Sequence, residues 1–491
     1  MIKLLRLALV LIFALFFSRA FFVSGLLHSY YLAQAGENRV KTEAVPAPRG
    51  VMVDRDGRLV ATNILVDGQA VRHYPGGEVV AAVVGYLSEA KGVAGLEKQY
   101  QSDLAGVAGE RVVTETAGGR EVEDVSLREP EPGKKLQLNL DLGLQTVAYQ
   151  ALKNKLAAVG KGGSAIVSAV NGETLALVSL PSFDPNLFIQ NGKRGTEGGI
   201  YTDVDGVVSD ETKKPLFNRA IGGAFPPGSV FKLVPALAGL SEGVIDETDL
   251  IEDSGEIVIG PYRFGNWYFD KYGRTEGKIN VQKALARSND IFFYRLGERL
   301  GVDRLTAYAK KVGLGEKTGI DLPGEAPGLL PTPLWMEKEK GERWFLGNTY
   351  HLAIGQGDLL ATALQVNRMA AAVVSGKKCP PRLVGKSECS DLDLPEKAIE
   401  TVKGGMKMVC QEGGTGFVFF DLKGAVLCKT GTAQHGGEEA EPHAWMVVVI
   451  PRGDTPRSVV VTVLLEDAGE GSEQAGPVAR QIVDYLLKES K

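Results

Sequence analysis

Two pairs of apolar runs, at opposite ends of a long stretch of chain, constrain the fold more than any other feature. In "SAIVSAVNGETLALVS", from Ser164, two such runs flank Asn171-Gly172. Asn-Gly favours a tight hairpin because both residues tolerate positive φ. In "HAWMVVVIPRGDTPRSVVVTVLLED", from His443, a second pair surrounds a turn rich in Gly and Pro. Strands this far apart predict one antiparallel sheet assembled from distant segments. Helices are expected beside it. "LDLGLQTVAYQALKNKL" sets Leu144, Val147, Ala148 and Leu152 on one face, and "EQAGPVARQIVDYLLKE" is amphipathic at helical spacing. The intervening chain, from about Asp184 to Leu422, reads mostly as helix and loop. The sum is an α+β domain: an antiparallel sheet flanked by helices, plus a helical lobe.

At 491 residues the chain exceeds one ordinary core, so two or three domains are expected. A 44% hydrophobic and 23% charged composition is that of a folded protein, and a net charge of −5 offers no nucleic-acid footprint. The N-terminus stands apart. "LLRLALVLIFALFFSRAFFVSGLL" (Leu4 to Leu27) carries only Arg6 and Arg19 as charges. Its uninterrupted part, Leu7–Phe17, is 11 residues, against about 20 for a membrane span. Arg19 snorkelling to an interface extends it to a signal anchor with Lys3 and Arg6 inside. The rival is a cleaved signal peptide ending at "AQA" (Ala33–Ala35), a site lying far from the apolar run. Either way the remainder is exported. Residues 1–29 are therefore read as a single-pass anchor and 30–133 as a β-rich pedestal of short strands and Gly-rich turns, including a hairpin in "RGVMVDRDGRLVAT". Pro130–Gly133 marks the boundary to a domain over 134–491. Cys379, Cys389, Cys410 and Cys428 all fall late. Export permits disulfides, but free buried thiols fit as well, and spacing does not dictate pairing.

The five histidines, His28, His73, His351, His435 and His443, form no H-E-x-x-H or similar metal spacing. "GLSEG" (Gly239–Gly243) has the nucleophile-elbow pattern but lacks the strand that must precede it. Without histidine, a serine needs another base, and a lysine three residues on shares its helix face. S-x-x-K occurs at Ser88–Lys91, in a charged turn-like stretch, and at Ser229–Lys232 in "FPPGSVFKLVPALAGL". In the second, Ser229 falls at a helix N-terminus, where the dipole favours developing negative charge. Burial of Lys232 would lower its pKa towards that of a useful base. Pro235, inside the expected helix, is predicted to kink it. Ser288-Asn289-Asp290 sits between two helical segments and fits a capping turn or a polar relay. Lys-Thr-Gly occurs twice. Lys317-Thr318-Gly319 lies among Gly and Pro and reads as loop. Lys429-Thr430-Gly431 follows the apolar run Ala425–Cys428 and reads as strand.

Ser229-x-x-Lys232, Ser288-Asn289-Asp290 and Lys429-Thr430-Gly431 occur in the order of the penicillin-recognising serine transferases and β-lactamases. With "RGVMVDRDGRLVA", "GLEKQY", "GETLALVSLPSFDPN", "IGQGDLLATALQ" and "KTGTAQ…HAWM", nearly the whole chain resembles a class B penicillin-binding protein, the monofunctional peptidoglycan D,D-transpeptidase. The resemblance implies a transpeptidase/β-lactamase-like fold on a dimerisation-type pedestal, membrane-anchored with its catalytic domain outside the cytoplasm. It implies Ser229 as acylated nucleophile, Lys232 as general base and Ser288 as proton relay. Lys429 would add positive charge near the substrate carboxylate, with Thr430, Gly431 and Thr432 in the binding strand. The N–H groups of Ser229 and Thr432 would form the oxyanion hole. Implied partners are the stem peptide, β-lactams and a membrane glycosyltransferase; no metal or organic cofactor is expected. Where this motif usually has Asn, Asp290 stands; an ionised carboxylate only accepts hydrogen bonds, so it is expected to pair with Lys232 or Lys429 as readily as to contact substrate. The rival readings are a D,D-carboxypeptidase or β-lactamase of the same superfamily, and an inert β-lactam-binding scaffold or sensor.

Overall fold

A computed structural model describes residues 2–37, 40–66, 69–88, 91–115, 121–159, 161–189, 199–422, 424–436, 440–453 and 458–489. Its central sheet has five strands: β1 (Gly163–Ala169), β2 (Thr174–Leu180), β3 (Leu427–Ala433), β4 (His443–Ile450) and β5 (Val459–Leu465). They lie in the order β2-β1-β5-β4-β3, every neighbouring pair antiparallel. The two distant hairpins do join. β1 runs against β5 from Gly163↔Leu465 to Ala169↔Val459, which leaves β3 at an edge.

All residues of β1, β2, β4 and β5 are buried, because helices cover both faces. The helices that matter below are α1 (Leu142–Val159), α2 (Leu233–Ser241), α3 (Val281–Arg287), α4 (Asp290–Lys311), α5 (Ala363–Ser375), α6 (Glu396–Val409) and α7 (Gly471–Lys488). Leu144, Ala148 and Leu152 of α1 and Val478, Ile482 and Val483 of α7 share one core with Ala165, Val167, Met446, Val448, Val461 and Val463. These strand residues alternate along the chain, as one face of a sheet requires. On α5, buried Asn367 donates to Val460 O (3.1 Å) and Thr462 Oγ1 (3.2 Å). Its neighbour Arg368 donates to Ser168 Oγ, Ala169 O and Val170 O at 2.9–3.0 Å. Those bonds satisfy polar groups whose burial would otherwise destabilise the fold.

Two compact units are present: residues 1–50 with 102–134, and residues 51–101 with 135–491. The first contains a three-stranded sheet of Val40–Val45, Gly109–Glu115 and Glu121–Arg128 and, among the described residues, one helical stretch, Ile2–Leu26, long and apolar enough to cross a membrane. In the second, Met52–Val53 pairs with Leu59–Val66 and, in parallel, with Leu136–Gln137. Residues 51–101, which their composition groups with the pedestal, thus pack with the chain that follows residue 134. The cysteines are paired as Cys379–Cys389 and Cys410–Cys428. Replacing fully buried Leu465 of β5 with Ala is expected to lower the unfolding free energy by about 2–5 kcal/mol, seen as a lower urea midpoint.

Candidate active site

Ser229 is positioned by the loop before it. Trp445 Nε1 on β4 donates to Pro226 O (2.9 Å), and Gly228 N donates to Gly355 O (2.8 Å). Gly228–Lys232 then forms a 3₁₀ turn, with α2 starting only at Leu233. In a 3₁₀ turn residues i and i+3 lie on one line, so Ser229 and Lys232 leave the backbone on the same side of the turn. Pro235 falls in the first turn of α2, where N–H groups have no intrahelical acceptor. It therefore sits at the start of the helix rather than breaking its middle.

Lys232 is fully buried. Its Nζ donates to Ser288 O (2.7 Å), pairs with Asp290 Oδ1 (2.6 Å) and lies 3.5 Å from Ser288 Oγ. Ser288 caps the C-terminus of α3 in the left-handed conformation (φ 52°, ψ 38°). Asn289 caps the N-terminus of α4, its side chain accepting from Phe292 N (2.9 Å). The residues that make the capping turn are therefore the ones that meet the two lysines. Lys429, also fully buried, comes from edge strand β3 and donates to Ser288 Oγ (2.9 Å) and Thr430 O (3.0 Å). Asp290 chooses Lys232 of the two lysines, and its second oxygen accepts from Trp267 N (3.2 Å).

Burial pushes the pKa of Lys232 down, and the Asp290 carboxylate opposes that shift. Lys429 is held well below the usual lysine range, first by burial and then by the charge of Lys232, again opposed by Asp290. Buried amines whose protonation is so disfavoured are suited to accepting a proton. A cleft of about 680 Å³ opens beside them, its lining including Ser229, Ser288, Asp290, Thr430, Thr432 and Gln434. The two lysines stand behind this lining. Thr430 and Thr432 share a face of β3, and Gly471 N at the start of α7 donates to Thr432 Oγ1 (3.2 Å). Only glycine fits there: a Cβ on Gly471 would meet Gly431 O at 2.2 Å and Trp445 O at 2.4 Å.

The competing motifs fall elsewhere. Ser88 and Lys91 oppose each other across a two-residue strand pair, with Glu89 and Ala90 outside the described residues. Gly239–Gly243 ends α2. Lys317-Thr318-Gly319 is loop, where Thr318 N donates to Glu325 Oε1 (2.7 Å). Tertiary structure also groups His435, His443 and Asp467, which chain spacing does not reveal. The two imidazole rings stack 3.9 Å apart, His435 Nε2 lies 2.6 Å from Asp467 Oδ1, Asp467 N donates to His443 Nδ1 (3.1 Å), and burial and His435 pull the pKa of His443 down to about 4. Sequence reasoning passed over Trp267, Gly471 and Thr415, all bearing on the cleft. Gly413-Gly414 before Thr415 was the available signal, since glycines mark close backbone approach.

The penicillin binding protein transpeptidase domain profile matches residues 162–484, and the penicillin-binding protein dimerisation domain profile matches residues 64–138. The chain belongs to the penicillin-binding protein transpeptidase family. A relative from Haemophilus influenzae, peptidoglycan D,D-transpeptidase MrdA, is 31% identical over 471 residues, covering 85% of this chain and 69% of its own. The Helicobacter pylori structure of penicillin-binding protein PBP2 in complex with MreC is 26% identical with TM-score 0.77, covering 91% of this chain and 99% of that one. A structure described as structural coordination of polymerization and crosslinking by a peptidoglycan synthase complex is 29% identical with TM-score 0.79, covering 98% and 97%. In this penicillin-binding protein, Gly471→Ala must shift α7 off the β3–β4 backbone. The expected cost of about 1–3 kcal/mol is read as a lower melting temperature.

Proposed function

We propose that this chain is a serine D,D-transpeptidase that cross-links peptidoglycan stem peptides and is acylated by β-lactams. The observation that carries the reading is the convergence of Ser229, Lys232, Ser288 and Lys429 on one cleft from three separate segments of chain. Ser229 Oγ attacks the carbonyl between the two terminal D-alanines, and Lys232 takes its proton. The N–H groups of Ser229 and Thr432 meet the oxyanion, an arrangement whose loss typically costs ~10²–10³ in rate. Ser288, bonded to Lys429, relays the proton to the departing D-Ala amine. An amine of a neighbouring stem peptide then attacks the ester and frees Ser229. The D,D-transpeptidase relative supports the reaction class, and the family's penicillin-binding description supports β-lactam acylation.

Residues 1–29 act as anchor in the cytoplasmic membrane, residues 30–50 with 102–134 as pedestal, and residues 51–101 with 135–491 as the extracytoplasmic transpeptidase unit. Two disulfides agree with an oxidising compartment. A membrane glycosyltransferase is the proposed working partner, a reading supported by the similar synthase complex that couples polymerization to crosslinking. Asp290 serves as tether and charge partner of Lys232 rather than as a substrate amide.

Labelling with a fluorescent penicillin tests the reaction. Wild type should form a bond that persists for hours, and Ser229→Ala should form none. Rapid release would instead mark a β-lactamase, and an unlabelled wild type would end the enzymatic reading. Asp290→Asn tests the electrostatics. Asp290 raises the pKa of Lys232 against burial, so removing its charge lowers that pKa further. Free amine then persists to lower pH, and the acidic limb of the labelling-rate profile should move to lower pH. A limb that stays put or moves up sinks the assignment of Lys232 as the titrating base.

A further inference from the structure

In the segment Gly413-Gly414-Thr415-Gly416, Gly414 and Thr415 line the cleft without belonging to the three motifs. The segment is held from several sides. A Cβ on Gly414 would meet Val409 O at 2.3 Å and Met408 O at 2.4 Å, so the loop lies directly on the last turn of α6. Gly416 N donates to Val409 O (2.8 Å), Thr415 N to Ala286 O of α3 (3.2 Å), and Arg287 Nη1 to Gly413 O (2.9 Å). The buried Cys410–Cys428 disulfide joins the end of α6 to the residue just before Lys429. Thr415 is thus fixed between the helix that ends at Ser288 and the strand that carries Lys429-Thr430-Gly431. Its Oγ1 lies 2.7 Å from Thr430 Oγ1, and both residues line the cleft.

A threonine hydroxyl has one proton to donate and lone pairs to accept with. Two hydroxyls sharing one bond can be ordered in either direction. When Thr430 donates to Thr415, Thr430 has no proton left for a ligand. When Thr415 donates to Thr430, the proton of Thr430 is free to point into the cleft. An anion there selects the second order, because an ionised carboxylate only accepts.

We infer that Thr415 is a positioning residue for substrate: it donates to Thr430 Oγ1 and so turns the Thr430 hydroxyl towards the terminal carboxylate of the acyl donor. The inference rests on the transpeptidase reading above. It assigns Thr415 to recognition of carboxylate-terminated peptides and their β-lactam mimics, with no direct part in acyl transfer.

The test uses full-length protein in detergent and a penicillin, compared with its methyl ester, in which the carboxylate is masked. Noncovalent dissociation constant and acylation rate constant are separated by rapid-mixing kinetics. Thr415→Val keeps the shape and removes the hydroxyl. It should raise the dissociation constant for the free acid about tenfold, with the loss falling there rather than on the acylation constant. Thr415→Ser restores the hydroxyl and should return to within about twofold of wild type. For the ester, Thr415→Val and wild type should agree. Equal losses for acid and ester, no loss for either, or no rescue by serine overturn the assignment. Absence of labelling in wild type overturns the transpeptidase reading with it, a result distinct from all three.

Discussion

Two buried lysines meet one aspartate and one serine, and the rest of the site is arranged around holding them. Taking an ammonium out of water carries a penalty of several kcal/mol unless partners replace the lost hydration. Lys232 has Asp290 at 2.6 Å and a carbonyl at 2.7 Å. Lys429 has a hydroxyl and a carbonyl at 2.9 and 3.0 Å. The lysines arrive from a 3₁₀ turn and an edge strand, and their partners from a helix junction. Displacing any one of the three leaves a buried polar group short of a partner, so the geometry of the cleft and the stability of its walls are one problem.

The same atoms serve local structure and chemistry. Ser288 ends one helix in a left-handed conformation and Asn289 starts the next. A left-handed backbone on a residue with a Cβ is a store of strain that surrounding structure must hold; here Lys232 and Lys429 grip its carbonyl and hydroxyl. Pro235 sits within the first helical turn and leaves Ser229–Lys232 in the tighter turn before it. Gly471 allows α7 to close directly on β3, which sets Thr432 at the cleft.

Much of this was legible along the chain. Asn171-Gly172 is a turn, with Gly172 at φ 99°, and the apolar runs on either side pair as its two strands. The contexts of the two Lys-Thr-Gly copies separated loop from strand correctly. Pairing was not legible. Nothing in the spacing says that Asp290 takes Lys232 over Lys429, that Cys410 bonds to Cys428, or that residues 51–101 pack with the chain beyond residue 134. Each depends on distances between segments that are remote in sequence: Lys429 and Ser288 are 141 residues apart, Trp445 and Pro226 219.

By itself, then, the sequence determined the ingredients: α+β architecture, strand and helix positions, and the three motifs in their order. These are local properties, written in residue periodicity and turn chemistry. Only the tertiary structure decided which charges neutralise which, that the S-x-x-K turn is 3₁₀, and that a threonine outside every motif bonds to Thr430. Those are outcomes of burial, and burial exists only once the distant strands have closed into one sheet.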